Sequence, residues 1–461
     1  MKKELSVLLS AIVVLAGMTG CGKTVSKNES TGYPKNKDLA AAGNVQLTLT
    51  GMTPSMKAME NVIADFTQVY PNCSINYEYV QDYSNTIVTR LANNDHVDLF
   101  LTKNIQAGSE LMPYAAELNA QSDKLDLSDT FDGFIRNFSV TANGEDKLYA
   151  VPLGGEVRGL YVNKTLLSSL GLQVPGKYTE LLECCRKLKA AGYIPMQGNP
   201  SNFGQLLMYP YVCSLVANAK DYSATYDQIN TCQSGVSELF RLPMSRLYDL
   251  VANGYYNYKY VETAYGTFTD TTDETSARDF LNVVSKGNGT YEKKDDLGQV
   301  AFFPGTMSFK SALDKTKENY HSNIDYVFIL APVGDEGGYA YLSPSTGIAI
   351  NKNSKNTAWA LEFLKFLFTR ENSRAFAEAL NIIPNTSDAL DIVNNTFRVD
   401  SNRVSQLGQV SFRYVFYDVI RKTLMDISKG NNPKYMQENG TMYDLEHYME
   451  ELEKGFAEQR T

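Results

Sequence analysis

The sequence predicts an α/β protein built from two lobes. At 461 residues the chain is longer than one hydrophobic core usually serves. Its first folded part alternates apolar strands with amphipathic helices, which is typical of an open α/β sheet. Further along, two apolar runs in residues 145–164 flank Gly154, Gly155 and Glu156. This order of strand, flexible break and strand indicates a segment that crosses between lobes.

The first lobe is predicted to begin as strand, helix, strand, helix, strand. The strands are expected at residues 45–50, 75–79 and 97–102, the helices between them at 54–70 and 85–93, and two further helices at 109–118 and 128–138. Ligands of such a lobe lie beyond the carboxyl ends of its strands. The loops that follow the first and third strands therefore supply four candidate ligand-binding residues: Met52, Thr53, Thr102 and Lys103. Thr53 is equally suited to cap the helix that Pro54 begins.

Two charged residues, Glu156 and Arg158, stand among apolar neighbours just after the glycine pair. Buried charges need polar partners. One interpretation is a structural ion pair on a partly exposed strand. The other is that both side chains face a ligand in the cleft between the lobes.

The order of several short motifs around this segment resembles the family 1 extracellular solute-binding proteins, the sugar-binding lipoproteins of bacterial ABC importers. The matching pieces are Tyr149-Ala150-Val151-Pro152, Tyr161-Val162-Asn163-Lys164, Gly171-Leu172, Tyr178-Thr179-Glu180-Leu181 and Ile194-Pro195. Later matches are Gly347 to Lys355, Glu362 to Leu367 and Ile383-Pro384. The resemblance implies a type II, periplasmic-binding-protein-like fold that captures a carbohydrate, such as an oligosaccharide, by hinge closure and delivers it to a membrane permease.

The same resemblance points to further ligand-contacting residues in the second lobe. Phe203 and Gln205 lie just past the loop where the family places a sugar-contacting segment. In residues 295–309 the family's aromatic residue is replaced by Met307, with Phe309 two positions on. Tyr339 and Tyr341 are the other candidates for a stacking surface, since sugars present C–H faces to aromatic rings.

The resemblance also implies how the chain divides. Hinges are expected at Gly154-Gly155, in residues 334–338 and near Pro384. Two helices, at 404–427 and 443–456, are expected to form the C-terminal part of the chain. The expected parts are a signal peptide at 1–20, a lipidated cysteine with a tether at 21–44, an N-terminal lobe at 45–152 and 339–384, and a C-terminal lobe at 153–338 and 385–461.

The N-terminus indicates export. Two lysines precede an apolar run from Leu5 to Met18, which is too short to span a membrane but fits a secretory signal. The ending at Cys21 resembles a lipobox, which implies an acylated Cys21 and a lipid anchor on the extracellular face of the cell membrane. Ordinary cleavage, with Cys21 not modified, is the alternative.

Composition excludes several other functions. A net charge of −9 argues against nucleic acid as a partner. Six cysteines without a C-x-x-C motif, and three histidines, make a metal site improbable. Two interpretations of the cysteines remain open: a disulfide between Cys213 and Cys232, or simple buried thiols. No cofactor is expected, and the protein is expected to act as a monomer.

Two other classes of protein have to be weighed. A glycoside hydrolase needs two carboxylates across a cleft, and Glu156 is the one that sequence places there. The chain is therefore expected not to be an enzyme, and no catalytic residue is assigned. A receptor of the same fold for a peptide or polyamine remains the alternative to a sugar receptor.

Overall fold

The computed structural model describes residues 33–52, 56–105, 109–118, 125–142, 145–198, 200–256, 273–285, 291–293, 297–399, 403–406 and 414–460. The strands are β1 Val45–Gly51, β2 Cys73–Tyr79, β3 Leu99–Thr102, β4 Ser139–Ala142, β5 Glu145–Leu148, β6 Val151–Pro152, β7 Gly155–Asn163, β8 Ile194–Met196, β9 Val283–Ser285, β10 Tyr291–Lys293, β11 Val300–Thr306, β12 Tyr326–Ile329, β13 Ala340–Pro344, β14 Gly347–Ile350 and β15 Val404–Gln406. The α-helices are α1 Lys37–Ala40, α2 Lys57–Val69, α3 Tyr83–Ala92, α4 Asp132–Ile135, α5 Lys164–Ser169, α6 Tyr178–Ala190, α7 Pro200–Ala217, α8 Tyr222–Asn230, α9 Arg241–Ala252, α10 Asp273–Phe280, α11 Phe309–Asn319, α12 Thr357–Leu367, α13 Arg370–Leu380, α14 Ala389–Phe397, α15 Tyr414–Lys429 and α16 Leu445–Ala457.

The first lobe contains a five-stranded sheet in the order β2-β1-β3-β14-β6. Strands β1, β2 and β3 are parallel, as the alternation of strands and helices predicts, and β14 enters antiparallel to β3. The buried faces of α2, α12 and α13 pack on this sheet around Phe66, Phe363 and Phe376. Trp359 belongs to the same core.

The second lobe contains a six-stranded sheet in which β7 is central. Its path runs β15-β13-β7-β11-β8, and β12 pairs with β7 beside β13. One face packs against helices α6, α7, α9, α15 and α16 in a large core, and the opposite face packs around Tyr161 and Phe303. The two lobes therefore have separate hydrophobic cores.

The chain passes between the sheets at three places that lie side by side. It leaves the first sheet after β6 through Gly154, and it returns between β13 and β14 through Ser345 and Thr346. The third passage follows α13, at Ile383. Their backbones are joined by hydrogen bonds: the N–H of Gly155 donates to the C=O of Ile383 at 2.8 Å, and the reverse bond measures 2.7 Å. We call these passages the three crossings.

A small apolar cluster lies beside the crossings. Phe131 and Phe134, at the start of α4, pack there with Val157 of β7, Leu342 of β13 and Ile383. We call this set the hinge cluster. It is the place where a segment of the first lobe packs directly on the second sheet.

Several predicted elements are corrected by the structure. The helix expected at 109–118 is one 3-10 turn, Met112–Tyr114, because Pro113 lacks the N–H that a longer helix requires. The helix expected at 128–138 shortens to α4 and a 3-10 turn. Residues 404–406 form strand β15 instead of the start of a helix, since they pair in parallel with β13. The last helix, α16, is confirmed.

The crossing expected at residues 334–338 is also wrong. Gly334 and Gly337 form an isolated bridge with each other, and β13 pairs with β7 of the second sheet. The chain leaves the second lobe only after Pro344, so the boundary expected at residue 339 falls too early. A glycine-rich turn and a crossing share the same composition, and strand pairing distinguishes them.

The described cysteines, Cys73, Cys184, Cys185, Cys213 and Cys232, are all buried, and none of them forms a disulfide. This confirms the interpretation as buried thiols and not the Cys213–Cys232 disulfide. Burial raises the pKa of Cys73 to about 12, with the charge of Asp98 adding to the rise. The thiol is therefore protonated and unreactive at neutral pH.

The glycine of the first crossing is tested by replacing it with alanine. A Cβ at Gly155 would lie 2.0 Å from Cζ of Phe134 in the hinge cluster. Overpacking of this kind costs about 1–3 kcal/mol, so Gly155→Ala should lower the urea midpoint of unfolding. The matched control is Gly43→Ala, because a Cβ there meets nothing within 4 Å. Equal midpoints for the two variants would contradict the described packing.

Candidate functional site

The register of the first sheet brings its candidate residues to the edge where the crossings begin. Thr102 lies opposite Gly347, and Gly347 lies opposite Pro152, so the ends of β3, β14 and β6 are neighbours. Lys103 follows directly and is exposed, and Met52, after β1, is partly buried against the core of the first lobe. Thr53 lies outside the described residues.

Thr102 itself is not available to a ligand. Its side chain is 2% exposed, and its hydroxyl donates to the C=O of Asn104 at 2.7 Å. The hydroxyl closes the turn after β3, which is ordinary turn chemistry. From this edge, therefore, Lys103 remains as the exposed charged candidate.

Glu156 and Arg158 lie on one face of β7, close to the first crossing. Side chains of a strand alternate between the faces of its sheet. Leu160 belongs to the large core of the second lobe, whereas Val157 belongs to the hinge cluster and Tyr161 to the opposite core. The two charged residues therefore share the face of Leu160.

Both charged side chains are half-buried, and neither has a hydrogen bond or ion pair to any residue in the described part of the chain. The interpretation of Glu156 and Arg158 as a structural ion pair is therefore wrong. Half-burial removes water that would otherwise solvate the charges. A carboxylate and a guanidinium in this state are well placed to bind a polar solute.

Polar and aromatic groups surround this pair on the same face. Ser343 of β13 stands opposite Glu156 in the register, and its hydroxyl donates to the C=O of Glu156 at 3.4 Å. Tyr209 of α7 lies close enough to Arg158 for the positive charge to act on its hydroxyl. Burial raises the pKa of Tyr209, and the charge of Arg158 opposes part of that rise. We call Glu156, Arg158, Ser343 and Tyr209 the charged patch.

Sequence reasoning missed Ser343 and Tyr209. The register between β13 and β7 places Ser343, and this antiparallel pairing joins residues 187 positions apart along the chain. Tyr209 lies in a helix whose apolar residues give no signal of a site. No local pattern could have identified either residue.

The aromatic candidates mostly belong to cores. Phe309 is 6% exposed and packs edge-on against Tyr161 at 5.4 Å between ring centroids. Tyr341 is 5% exposed and belongs to the large core of the second lobe. The side chain of Met307 packs on the hinge cluster, on the face opposite Arg158. These three are corrected to structural residues.

Tyr339 is half-buried, and its ring lies edge-on to Tyr211 of α7 at 5.4 Å. It shares the face of Ser343, because Ala340 and Leu342 of the same strand point into the hinge cluster. Phe203 and Gln205 lie in the first turns of α7, and their side chains are outside the described residues.

A network of charges ties the third crossing to the first lobe. Arg370, at the start of α13, contacts the carboxylates of Asp129 and Asp388, and Arg374 also contacts Asp388. Ser387 donates through its hydroxyl to Asp129. This hydroxyl, with Arg370 as the second favourable contact, holds the pKa of Asp129 below its usual range. We call this set the third-crossing network.

Neither a metal-binding cluster nor a membrane-spanning helix is found among the described residues. Within the ranges given above, no group of three or more His, Cys, Asp and Glu side chains could hold a metal ion. Among the helices of the same ranges, none is long and apolar enough to cross a membrane.

The fold and the site define the class of protein. Two α/β lobes with separate cores, three crossings and a polar patch beside them are the architecture of a two-lobed solute-binding protein. The family model for "Bacterial extracellular solute-binding protein" matches residues 50–373. The chain belongs to this family. Its members are binding proteins, which confirms the expectation that the chain is not an enzyme.

Known proteins similar to the chain agree with this assignment. The multiple sugar-binding protein of Streptococcus mutans is 25% identical over 137 residues, which cover 30% of this chain and 32% of the relative. That match spans about a third of the relative's length. A structure from work on xylan utilization by Caldanaerobius polysaccharolyticus has a TM-score of 0.62 at 17% identity, over 89% of this chain and 99% of the other. RafE of Streptococcus pneumoniae, in complex with raffinose, has a TM-score of 0.59 at 17% identity, over 91% and 100%.

The pKa of Asp129 predicts how the third-crossing network depends on pH. A carboxyl whose pKa is lowered by folding adds stability that is complete above its ordinary pKa of 3.8 and is lost as pH falls through the folded value. Because Arg370 and Asp129 are 47% and 39% exposed, we expect Arg370→Gln to lower the free energy of unfolding only modestly at pH 7. The cost should shrink as pH falls below 3.8 and disappear once Asp129 is protonated in the folded protein.

The measurement is the free energy of unfolding in urea at pH 7 and at low pH. Lys57→Gln serves as the control, since Lys57 is 80% exposed and its ion-pair partner is Glu60, which is not part of the third-crossing network. A cost of Arg370→Gln that is unchanged at low pH would show that Asp129 is not its partner.

Proposed function

We propose that the protein captures a carbohydrate, an oligosaccharide, in the cleft between its lobes and delivers it to an ABC transporter permease. The observation that carries the proposal is the charged patch, in which Glu156 and Arg158 are half-buried and unpaired within the described part of the chain. The S. mutans relative is a multiple sugar-binding protein and RafE binds raffinose, which supports a sugar as the ligand.

The chemistry of the patch suits hydroxyl groups. A carboxylate accepts hydrogen bonds, a guanidinium donates up to five, and Ser343 and Tyr209 supply hydroxyls that do both. A sugar hydroxyl can satisfy either charge. Lys103 on the facing lobe would add a further donor when the lobes approach. Of the predicted aromatic residues, Tyr339 and Phe203 remain for the C–H faces of the sugar.

Closure requires the ligand to bind one arrangement of the lobes better than the other. The three crossings are the segments about which the lobes would rotate. Each lobe keeps its own core in such a motion, so contacts to the ligand supply the free energy of closure. A ligand with a micromolar dissociation constant supplies about 8 kcal/mol in total.

The protein is proposed to act as a monomer held at the extracellular face of the membrane by a diacylated Cys21. The apolar run that precedes Cys21 and the lipobox-like ending support this anchor. The family is an extracellular one, which agrees with export. Cys21 and the signal segment lie outside the described residues.

The ligand class is tested first by thermal shift with oligosaccharides in one arm, and with peptides and polyamines in the other. Ligand at 100-fold its dissociation constant should stabilise the protein by about 2.7 kcal/mol. A rise in melting temperature with saccharides supports the proposal. A response to peptides or polyamines alone would replace the sugar with another solute.

The charged patch is tested by Glu156→Gln with the best saccharide. Losing one charge-assisted hydrogen bond costs about 1.5 kcal/mol or more, so the dissociation constant should rise at least about tenfold. Titration calorimetry provides the constant. Glu318→Gln, an exposed carboxylate on α11, is the matched control and should bind as the native protein does. Unchanged affinity in Glu156→Gln would remove Glu156 from the site.

The lipid anchor is tested by Cys21→Ala in the producing cells. The native protein should be recovered in the membrane fraction, and the variant should be released into the medium, because a thioether-linked lipid needs the cysteine sulfur. Mass spectrometry of the N-terminal peptide checks the modification directly. Equal membrane retention of both proteins would contradict the anchor.

A further inference from the structure

An exposed aromatic ring stands at the end of β2, where sequence reasoning placed no candidate. The side chain of Tyr79 is 43% exposed, the highest value among the large apolar side chains in the described part of the chain. Two of the aromatic residues predicted to contact the ligand, Phe309 and Tyr341, are buried, and so is the single tryptophan, Trp359. Tyr79 is therefore an aromatic group that the fold of the first lobe leaves available to a ligand.

The exposure of Tyr79 comes from its place at the carboxyl end of the strand. Residues 75, 77 and 79 share one face of β2. Ile75 is 9% exposed, Tyr77 is half-buried and Tyr79 is exposed. All three belong to the same edge strand, so the edge position alone does not explain the difference. The core of the first lobe covers this face of β2 only as far as Tyr77.

The backbone beneath the ring of Tyr79 is held in place. Tyr79 lies opposite Gly51 in the register of β1 and β2, and the N–H of Val80 donates to the C=O of Gly51 at 3.1 Å. The hydroxyl of Tyr77 occupies the space beside Gly51, where a Cβ would lie 2.1 Å from the hydroxyl oxygen. A ring on paired backbone loses little conformational freedom when it binds, which favours its use as a stacking surface.

Tyr79 lies at the same edge of the first sheet as the ligand-binding candidates of this lobe. Strands β1, β2 and β3 are parallel, so their carboxyl ends meet at one edge. Met52 follows β1 and Lys103 follows β3 at this edge, and the first crossing begins there at Pro152 of β6. We call this edge the rim. Along the rim the order is Tyr79, Met52, Lys103 and then the first crossing.

The rim separates Tyr79 from the charged patch. In the sheet order β2-β1-β3-β14-β6, four strand spacings lie between β2 and β6, which amounts to about 19 Å. Strand β7 continues from β6 through Gly154, with β13 and β14 alongside, so Glu156 and Arg158 lie beyond the β6 end of the rim. Because they directly follow the crossing, closure of the lobes moves them little along the rim. One sugar ring, which is about as large as a tyrosine ring, cannot contact both Tyr79 and the charged patch.

We propose that Tyr79 is the stacking platform for the far end of an oligosaccharide whose near end binds the charged patch. The inference rests on the proposed function and adds ligand length to it. The C–H face of the far sugar packs on the ring of Tyr79, and Lys103 donates to hydroxyls between the two ends. A saccharide too short to reach β2 lacks the contact with Tyr79. The platform therefore makes affinity depend on the length of the saccharide.

The experiment measures dissociation constants by titration calorimetry for saccharides of increasing length. The probes are sucrose, raffinose and stachyose, and linear oligomers of xylose, glucose and N-acetylglucosamine with two to six units. Affinity should rise with length in the native protein. Tyr79→Ala should raise the dissociation constant of the longest tightly bound saccharide roughly threefold to tenfold and leave that of the shortest one unchanged. Tyr79→Phe keeps the ring and should bind both as the native protein does.

Tyr435→Ala is the matched control. Tyr435 is a tyrosine of similar exposure, 38%, in the 3-10 turn Pro433–Tyr435 of the second lobe, where Lys429 and Lys434 lie over its ring. This variant should bind every probe with native affinity. Equal losses for short and long saccharides in Tyr79→Ala, or no loss at any length, would overturn the platform while the sugar function stands. If no saccharide binds the native protein, the proposed function itself fails and the platform fails with it.

Fluorine NMR tests the contact without removing the ring. With 3-fluorotyrosine incorporated at position 79, the fluorine resonance should shift when the longest tightly bound saccharide is added and stay in place with the shortest one. The same label at position 435 should not respond to either saccharide. A label at position 79 that responds equally to both lengths, or to neither, would contradict the stacking contact.

Discussion

The structure depends on the close approach of the three crossings. Leu153 donates through its N–H to the C=O of Thr346 at 2.9 Å, and Ser345 to that of Gly154 at 2.8 Å. These bonds, with the pair between Gly155 and Ile383, join the three passages into one narrow band. The band forms only where side chains are missing: a Cβ at Gly154 would lie 2.6 Å from the carbonyl oxygen of Ile383. The glycine pair therefore serves to bring backbones together as much as to supply flexibility.

The same constraint positions the charged patch. Strand β7 starts inside the band, so its first residues have their register fixed by the crossings: Ser343 opposes Glu156 and Thr306 opposes Arg158. A shift of one residue would turn both charges toward the hinge cluster, where Val157 now packs. Burying two unpaired charges there would be costly. The apolar packing of Val157 thus keeps Glu156 and Arg158 on the face opposite the hinge cluster.

Sequence reasoning succeeded where the information is local. Period-two and period-3.6 patterns placed β1, β2, α2 and α16, and the glycine break located the first crossing. It failed where contacts between residues distant in sequence determine whether a side chain is buried or where a strand pairs. Phe309 looks like a ligand platform beside Met307, yet Tyr161 of another strand buries it. The turn at Gly334 resembles a hinge, and only the pairing of β13 with β7 rules this out.

The segment from Tyr33 to Ala42, expected from sequence to belong to the tether, packs on the first lobe and shows the same limit from the other direction. Residues 33–42 are polar and exposed along most of their length, so composition predicts a free tether. Tyr33 contacts Glu362, a carboxylate 329 residues away that lies buried in α12, where Lys365 is its ion-pair partner at 3.8 Å. A charge in that position is costly without donors, and the phenols of Tyr33 and Tyr70 provide them. The hydrogen bonds to Glu362 and from Asn72, with the packing of Tyr33 on Phe366, together hold the N-terminal segment to the lobe.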